Sequence, residues 1–166
     1  MGETIRYGII GTGMMGHEHI RMIQLLPDCE VTAYADPDRG SRWWTRQLLG
    51  EEHPAEEFAS ASDLLRKAAV DVLVVATPNH THRAVMEEVF ASRKPVLVEK
   101  PLCTTVEDAR WVAEAAARHP ALVWVGMEYR YMPPFQHLLQ ELRRGSIGKL
   151  RMLAIREHRF PFLPKV

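Results

Sequence analysis

The sequence predicts an α/β chain in which a doubly wound, mostly parallel sheet is followed by the start of a second α/β domain. Three observations carry this expectation. Short β-rich runs alternate with helical patterns through most of the 166 residues, which is the signature of βαβ units. Several of those runs are apolar almost throughout, as expected of strands buried on both faces. Beyond residue 126 the alternation gives way to a proline-opened helix and a long charged run, so the expected boundary separates 1–126 from 127–166.

The elements follow in order. Residues 5–10 form the first strand candidate and lead into Gly11-Thr-Gly-Met-Met-Gly16. A helix over 15–26 places Ile20, Ile23 and Leu26 at helical spacing and is ended by Pro27 and Asp28. The second strand, 31–35, stops at Asp36, and a helix over 41–49 stops at Gly50. Ser62 can cap a short helix through residue 67. Strands at 70–76 and 96–98 alternate with helices at 81–92 and 105–118. Thr104 with Glu107 reads as a T-x-x-E capping box, in which hydroxyl and carboxylate each satisfy an amide of the first turn. A strand at 122–125 completes the series. Pro133 and Pro134 then open a helix that Gly145 closes, and residues 149–160 read as one long strand rich in Arg and Glu. With no partner strand following, such an element would expose a row of unpaired backbone groups and favour self-association.

Composition narrows the functional classes. Apolar residues make up 46% and charged residues 25% of the chain, which is ordinary for a globular protein. Lys plus Arg equals Asp plus Glu at 21 each, so no basic surplus is available to hold nucleic acid or an anionic membrane. The two cysteines, Cys29 and Cys103, lie in no metal or disulfide spacing. The longest apolar stretch falls far short of the roughly 20 residues a bilayer crossing needs. No secretory or lipidation pattern opens the chain, and the expectation is a cytoplasmic protein.

The glycine pattern sits between a strand and a helix, the context a dinucleotide-binding turn requires. Gly11 permits the tight turn, Gly13 lets backbone approach a pyrophosphate, and Gly16 allows helix and strand to pack closely. Thr12, Met14 and Met15 complete the loop, the methionine side chains packing while their amides face phosphate at the helix N-terminus. Asp36 stands 20 residues beyond Gly16, where its carboxylate can accept from both hydroxyls of an adenosine ribose. A 2'-phosphate would meet that negative charge, so the cofactor expected is NAD, with NADP less favoured despite Arg39 and Arg42.

Two further strand ends carry polar clusters, and in an open parallel sheet ligands bind at the carboxyl ends of strands. One is Thr77-Pro-Asn-His-Thr-His82 and the other is Glu99-Lys100-Pro101. A lysine beside an oxidised nicotinamide would be desolvated and close to a second positive charge, both of which favour the neutral amine. Lys100 could then accept a hydroxyl proton as hydride leaves carbon. His80 and His82 form an H-x-H without further ligands, so no metal is expected. His17 and His19 read as packing residues; of the adjacent Trp43 and Trp44 at most one can face the core, with packing favoured and an exposed ring able to border an adenine; Cys103 has no paired base and reads as structural.

These residues in order resemble the Gfo/Idh/MocA oxidoreductases, a family that includes glucose-fructose oxidoreductase and inositol dehydrogenases. The matching positions are Gly11 to Gly16 with His19, Asp36-Pro37, Ala76-Thr77-Pro78-Asn79 with His82, Val98-Glu99-Lys100-Pro101-Leu102, and Gly126 with Arg130. The resemblance implies a Rossmann domain and hydride transfer between nicotinamide and a secondary alcohol of a sugar, polyol or related small molecule. It implies cofactor contacts for Thr77, Pro78, Asn79 and His82, a nicotinamide-ribose contact for Glu99, and cofactor, substrate and proton-transfer roles for Lys100. Arg130 would reach toward substrate beside Tyr129, which stands where many members have a second arginine. The family continues through a second domain that usually supplies further catalytic groups and a homo-oligomer interface, so residues 127–166 would be its opening. Two other readings remain: an NAD-dependent glycoside hydrolase of the same family, and a catalytically inert nucleotide-binding module.

Overall fold

The computed structural model describes residues 4–158. They fall into two compact units, 4–127 and 128–158. In the first, β1 (Ile5–Ile10), β2 (Cys29–Ala35), β3 (Glu56–Phe58), β4 (Val72–Val75), β5 (Val96–Val98) and β6 (Val123–Val125) make one six-stranded sheet in the order β3-β2-β1-β4-β5-β6. Every pairing is parallel. The order reverses direction between β1 and β4, and this switch point is where a doubly wound sheet opens a crevice at its carboxyl edge.

The strands are apolar because both faces are covered. On one face Ile10, Ala33, Ala35, Leu73, Val75, Val96 and Val98 pack with Leu64 of α3 (Ala61–Lys67), Met86 and Val89 of α4 (His82–Ser92), and Val112 of α5 (Val106–Arg118). On the other, Ile9, Val31, Tyr34 and Val74 pack with Ile20 and Ile23 of α1 (Met14–Gln24). Strict alternation would send Val31 and Tyr34 to opposite faces. A register shift between Tyr7 and Gly8 skips Thr32 and brings both to the same side.

The expected strands at 5–10 and 96–98 match β1 and β5, and the other three expected ones differ from β2, β4 and β6 by one to two residues at their ends. β3 escapes sequence reading, because three residues beginning Glu-Glu carry no hydrophobic pattern. It is an edge strand, and its Glu57 accepts from the buried Tyr34 hydroxyl at 3.0 Å and from Arg42 at 3.0 Å. Burial, then the Glu57 carboxylate, push the Tyr34 phenol up to about 12.

Several local readings need correction. The cap of α3 is Ser60, whose hydroxyl accepts from the Asp63 amide, whereas Ser62 bonds Glu88. The box opening α5 is one residue later than Thr104 and Glu107. Thr105 accepts from the Asp108 amide at 3.1 Å and donates to the Asp108 carboxylate at 2.7 Å, since Thr105, not Thr104, has the extended backbone of a cap. Trp43 and Trp44 lie on α2 (Arg39–Leu49) at 51% and 60% exposure. They stack edge to face with ring centres 4.7 Å apart. The only α2 side chain fully buried is Thr45.

In the second unit a 3-10 turn, Glu128–Tyr131, leads to α6 (Pro133–Arg144), closed by Gly145 at φ 71°. The Tyr129 ring lies 5.6 Å from Phe135. The long strand expected at 149–160 is absent over 149–158, and its last two residues lie outside the described residues. A strand exists by pairing, and no described strand pairs with this segment.

At the amino edge of the sheet, Arg6 grips Asp71 through its backbone amide, Nε and a terminal nitrogen at 2.8–2.9 Å. These bonds hold the Asp71 carboxyl down to about 2. Both side chains are about two-fifths exposed, so Asp71→Asn should cost about 0.5–1 kcal/mol. A native value below the unfolded one means the contribution is full above about pH 4 and fades as pH falls toward 2. Thermal melts of both proteins should differ by roughly 2–4 °C at pH 7 and converge in acid; equal melting at pH 7 would remove this pair from the stability of the fold.

Candidate functional site

The crevice at the carboxyl edge begins with the turn between β1 and α1. Gly11 has φ +90°, and a Cβ there would stand 2.6 Å from the Thr77 amide nitrogen. A Cβ on Gly16 would come 2.2 Å from the Gly11 carbonyl oxygen. Both positions therefore demand glycine, one for conformation and loop contact, the other for helix-to-turn packing. Gly13 differs, for a Cβ there meets nothing within 4 Å. It is the open face of the turn.

Gly13 is also the N-cap of α1, which has no side-chain cap and no acidic residue in its first turn. The first amides of a helix lack intrahelical acceptors and carry the positive end of its dipole, so this terminus is suited to an anion. A dinucleotide pyrophosphate fits it: the cradle is built of glycines where side chains would collide and is open where the ligand would sit. Met14 is 67% and Met15 38% exposed. The Met14 side chain is therefore mostly open to solvent, against the packing expected of it, whereas Met15 is the more covered of the two.

Asp36, at the end of β2, is fixed by two amides, Thr12 at 2.8 Å on one oxygen and Asp38 at 2.9 Å on the other. The carboxylate is thereby pinned at the mouth of the glycine turn. Thr12 itself is completely enclosed, and its hydroxyl has no hydrogen-bond partner. With its amide on Asp36 and its side chain sealed, Thr12 orients the acid instead of touching a cofactor. Arg42 is likewise committed: its guanidinium donates to the Asp36 and Pro37 carbonyls at 2.7 and 3.1 Å and to Glu57.

Across the switch point, β4 ends at Thr77-Pro78-Asn79, and β5 ends at Glu99-Lys100. His82 joins the two loops, one ring nitrogen 2.9 Å from the Thr77 carbonyl and the other 3.0 Å from the Leu102 carbonyl. It is wholly buried, so the expected cofactor contact is not available to it. It ties the two loops together instead. Glu99 is only 7% exposed. One carboxylate oxygen accepts from His19 Nε2 at 2.8 Å and the other from the Lys100 amide at 3.0 Å. Burial raises the Glu99 carboxyl, yet the bonds from His19 and the Lys100 amide, with the charges of both residues, leave it below its usual value. A Cβ on Gly126 would lie 3.2 Å from the bonded Glu99 oxygen, so a glycine there leaves the carboxylate its space. Lys100 is exposed beside it.

The packing roles expected of His17 and His19 are thus replaced by bonding ones. His17 Nε2 lies 3.0 Å from the Thr45 hydroxyl, joining α1 to α2, and burial followed by the nearby Arg21 pushes its ring below the usual histidine value. The bond from His19 to Glu99 escaped sequence reading, although His19 stands among the family-matching positions. Its signal was available: a glutamate ending a buried strand needs a donor. In the second unit Arg130 is exposed and the Tyr129 hydroxyl donates to Glu157. Among the described residues no three His, Cys, Asp or Glu side chains gather to hold a metal, and no helix is long and apolar enough to cross a membrane.

A family model described as oxidoreductase family, NAD-binding Rossmann fold, matches residues 5–127. The chain belongs to the Gfo/Idh/MocA oxidoreductase family. Among curated relatives in this family's company, inositol 2-dehydrogenase 1 of Saccharopolyspora erythraea is 37% identical over 147 residues, covering 87% of this chain and 43% of its own. The rhizopine catabolism protein MocA of Rhizobium meliloti is 32% identical, covering 90% and 45%. The crystal structure of myo-inositol dehydrogenase from Lactobacillus casei, in complex with NAD(H) and myo-inositol, is 28% identical with a TM-score of 0.80, covering 87% of this chain and 43% of that one. The scyllo-inositol dehydrogenase of the same organism shares the fold at a TM-score of 0.81. The chain spans less than half the length of these relatives.

Thr12→Val tests whether Thr12 stands behind the site. Replacing an unpaired buried hydroxyl with an isosteric methyl should leave the melting temperature unchanged or raised and leave nucleotide affinity unchanged. A loss of about 1 kcal/mol or more in a denaturant melt would show instead that the hydroxyl is bonded.

Proposed function

We propose that this chain is the nucleotide-binding part of an NAD-dependent dehydrogenase that oxidises a secondary alcohol of a cyclic polyol, sugar or related small molecule. The observation that carries the reading is the Asp36 carboxylate, pinned by two amides beside a glycine turn that leaves Gly13 open. The inositol dehydrogenases among its relatives support the substrate class. Bound NAD would supply the hydride acceptor.

The chain's own residues do the rest. The Gly13, Met14 and Met15 segment holds pyrophosphate at the α1 terminus. Asp36 accepts from the hydroxyls of the adenosine ribose and repels a 2'-phosphate, while Arg42, bound to carbonyls and Glu57, is not offered to one. Thr77, Pro78 and Asn79 line the crevice between the two nucleotide halves. Glu99 accepts from the second ribose. Lys100 takes the proton of the substrate hydroxyl as hydride departs from the carbon to the bound nicotinamide, so the alcohol becomes a carbonyl. Tyr129 and Arg130 are the substrate-recognising side chains of this reading.

Calorimetric titration should show NAD binding more tightly than NADP. Asp36→Ala should weaken NAD roughly 10- to 100-fold, the loss expected for hydrogen bonds to a charged group, and shift the NAD to NADP ratio; an unmoved ratio would sink the ribose assignment. Incubation with inositols or other polyols should form NADH, and Lys100→Ala should lower that rate roughly 10²- to 10⁴-fold with little change in NAD affinity. Sugar release from a glycoside without net NADH would replace the dehydrogenase with a hydrolase, and nucleotide binding with neither outcome would indicate a binding module.

A further inference from the structure

We propose that His19 is a positioning residue that holds the Glu99 carboxylate in place, so that α1 sets both the pyrophosphate cradle and the acid at the second ribose. The proposal deepens the reading above and rests on it for the identity of what Glu99 meets. The geometry that supports it is local. His19 projects from α1 and donates from Nε2 to a Glu99 oxygen at 2.8 Å, across 80 residues of sequence. Its partner is almost completely buried, and the second carboxylate oxygen is already taken by the Lys100 amide. Gly126 approaches from the β6 side without a side chain. The charged groups facing Glu99 are therefore His19 from α1 and Lys100 from its own loop.

A buried carboxylate with one donor removed has two outcomes, reprotonation or rotation toward water. Reprotonation would weaken, and rotation would break, the bond from the Lys100 amide to the same group. His19 lies six residues beyond the Gly13 cap, so a rise of about 1.5 Å per residue places it roughly 9 Å along the helix axis. One rigid element thus spaces the pyrophosphate cradle from the acid that would meet the second ribose. A structural role alone would lower stability; a positioning role changes the state of Glu99 and the binding of one half of the nucleotide.

The experiment combines two readouts on the wild-type chain, His19→Ala and His19→Gln. Glu99 is titrated by carbon NMR of labelled glutamate carboxyls, assigned with Glu99→Gln, and NAD and ADP are titrated by calorimetry. ADP carries the pyrophosphate and adenosine but lacks the second ribose and nicotinamide. In His19→Ala the Glu99 midpoint should rise by about one unit or more, and NAD affinity should fall about tenfold while ADP affinity is unchanged. Glutamine keeps a donor near the Nε2 position without the charge and should restore part of both. Should His19→Ala fail to fold, His19→Gln carries the test through its smaller upward shift. An unmoved Glu99 midpoint, or equal losses for NAD and ADP, would overturn the proposal. If wild type binds neither nucleotide, the NAD reading fails on its own, and the Glu99 midpoint still decides whether His19 holds the acid.

Discussion

The geometry of the nucleotide crevice depends on the closure of one turn. A Cβ at Gly16 would lie 2.2 Å from the Gly11 carbonyl oxygen, so the helix after β1 begins as close to the sheet as backbone allows. That closeness seals Thr12 inside, and the sealed Thr12 presents its amide to Asp36. It also presses Gly11 against the exit of β4, bringing the turns of β1 and β4 together at the switch point. Move α1 outward by the width of one methyl group, and the anion site, the ribose acid and the β4 loop lose their common reference together.

Much of this arrangement was legible because it rests on local rules. Glycine turns between strand and helix, apolar runs buried on two faces, and Pro133 and Gly145 bracketing α6 each express a short-range preference that the fold does not oppose. What escaped reading was decided at longer range. β3 is a strand because it pairs with β2, and the expected strand over 149–160 is absent over its described part, where no described strand pairs with it. The capping boxes at α3 and α5 differed from expectation by a residue or two, because adjacent Ser and Thr residues compete for one position and the backbone entering the helix chooses between them.

The same distinction explains the candidate site. The positions of Gly11, Gly13, Gly16 and Asp36 follow from spacing, whereas the parts played by Thr12, His19 and His82 depend on burial. Sequence cannot say whether a polar residue at a loop faces ligand or stands behind it. His82 illustrates the point: a histidine in a polar cluster at a strand end reads as a contact, yet it is wholly buried with its two ring nitrogens 2.9 and 3.0 Å from backbone carbonyls of different loops. The energetic reason is that loops carrying many carbonyls at a sheet edge need internal donors if they are to keep one shape without a ligand.

This division separates binding from proton transfer. Asp36 and Glu99 each receive two donors from the protein itself, so their orientation is set before a nucleotide arrives, and little ordering entropy is left to oppose binding. Lys100 has the opposite character. Its amide is fixed on Glu99, but its side chain is exposed, and an amine acts as a base most readily when water is taken from it. If Lys100 is the base proposed above, whatever lies over it in the working complex, cofactor and substrate included, would have to exclude water from it. On that proposal the crevice holds its acids ready for a nucleotide in advance, whereas proton abstraction would wait until both reactants fill the site.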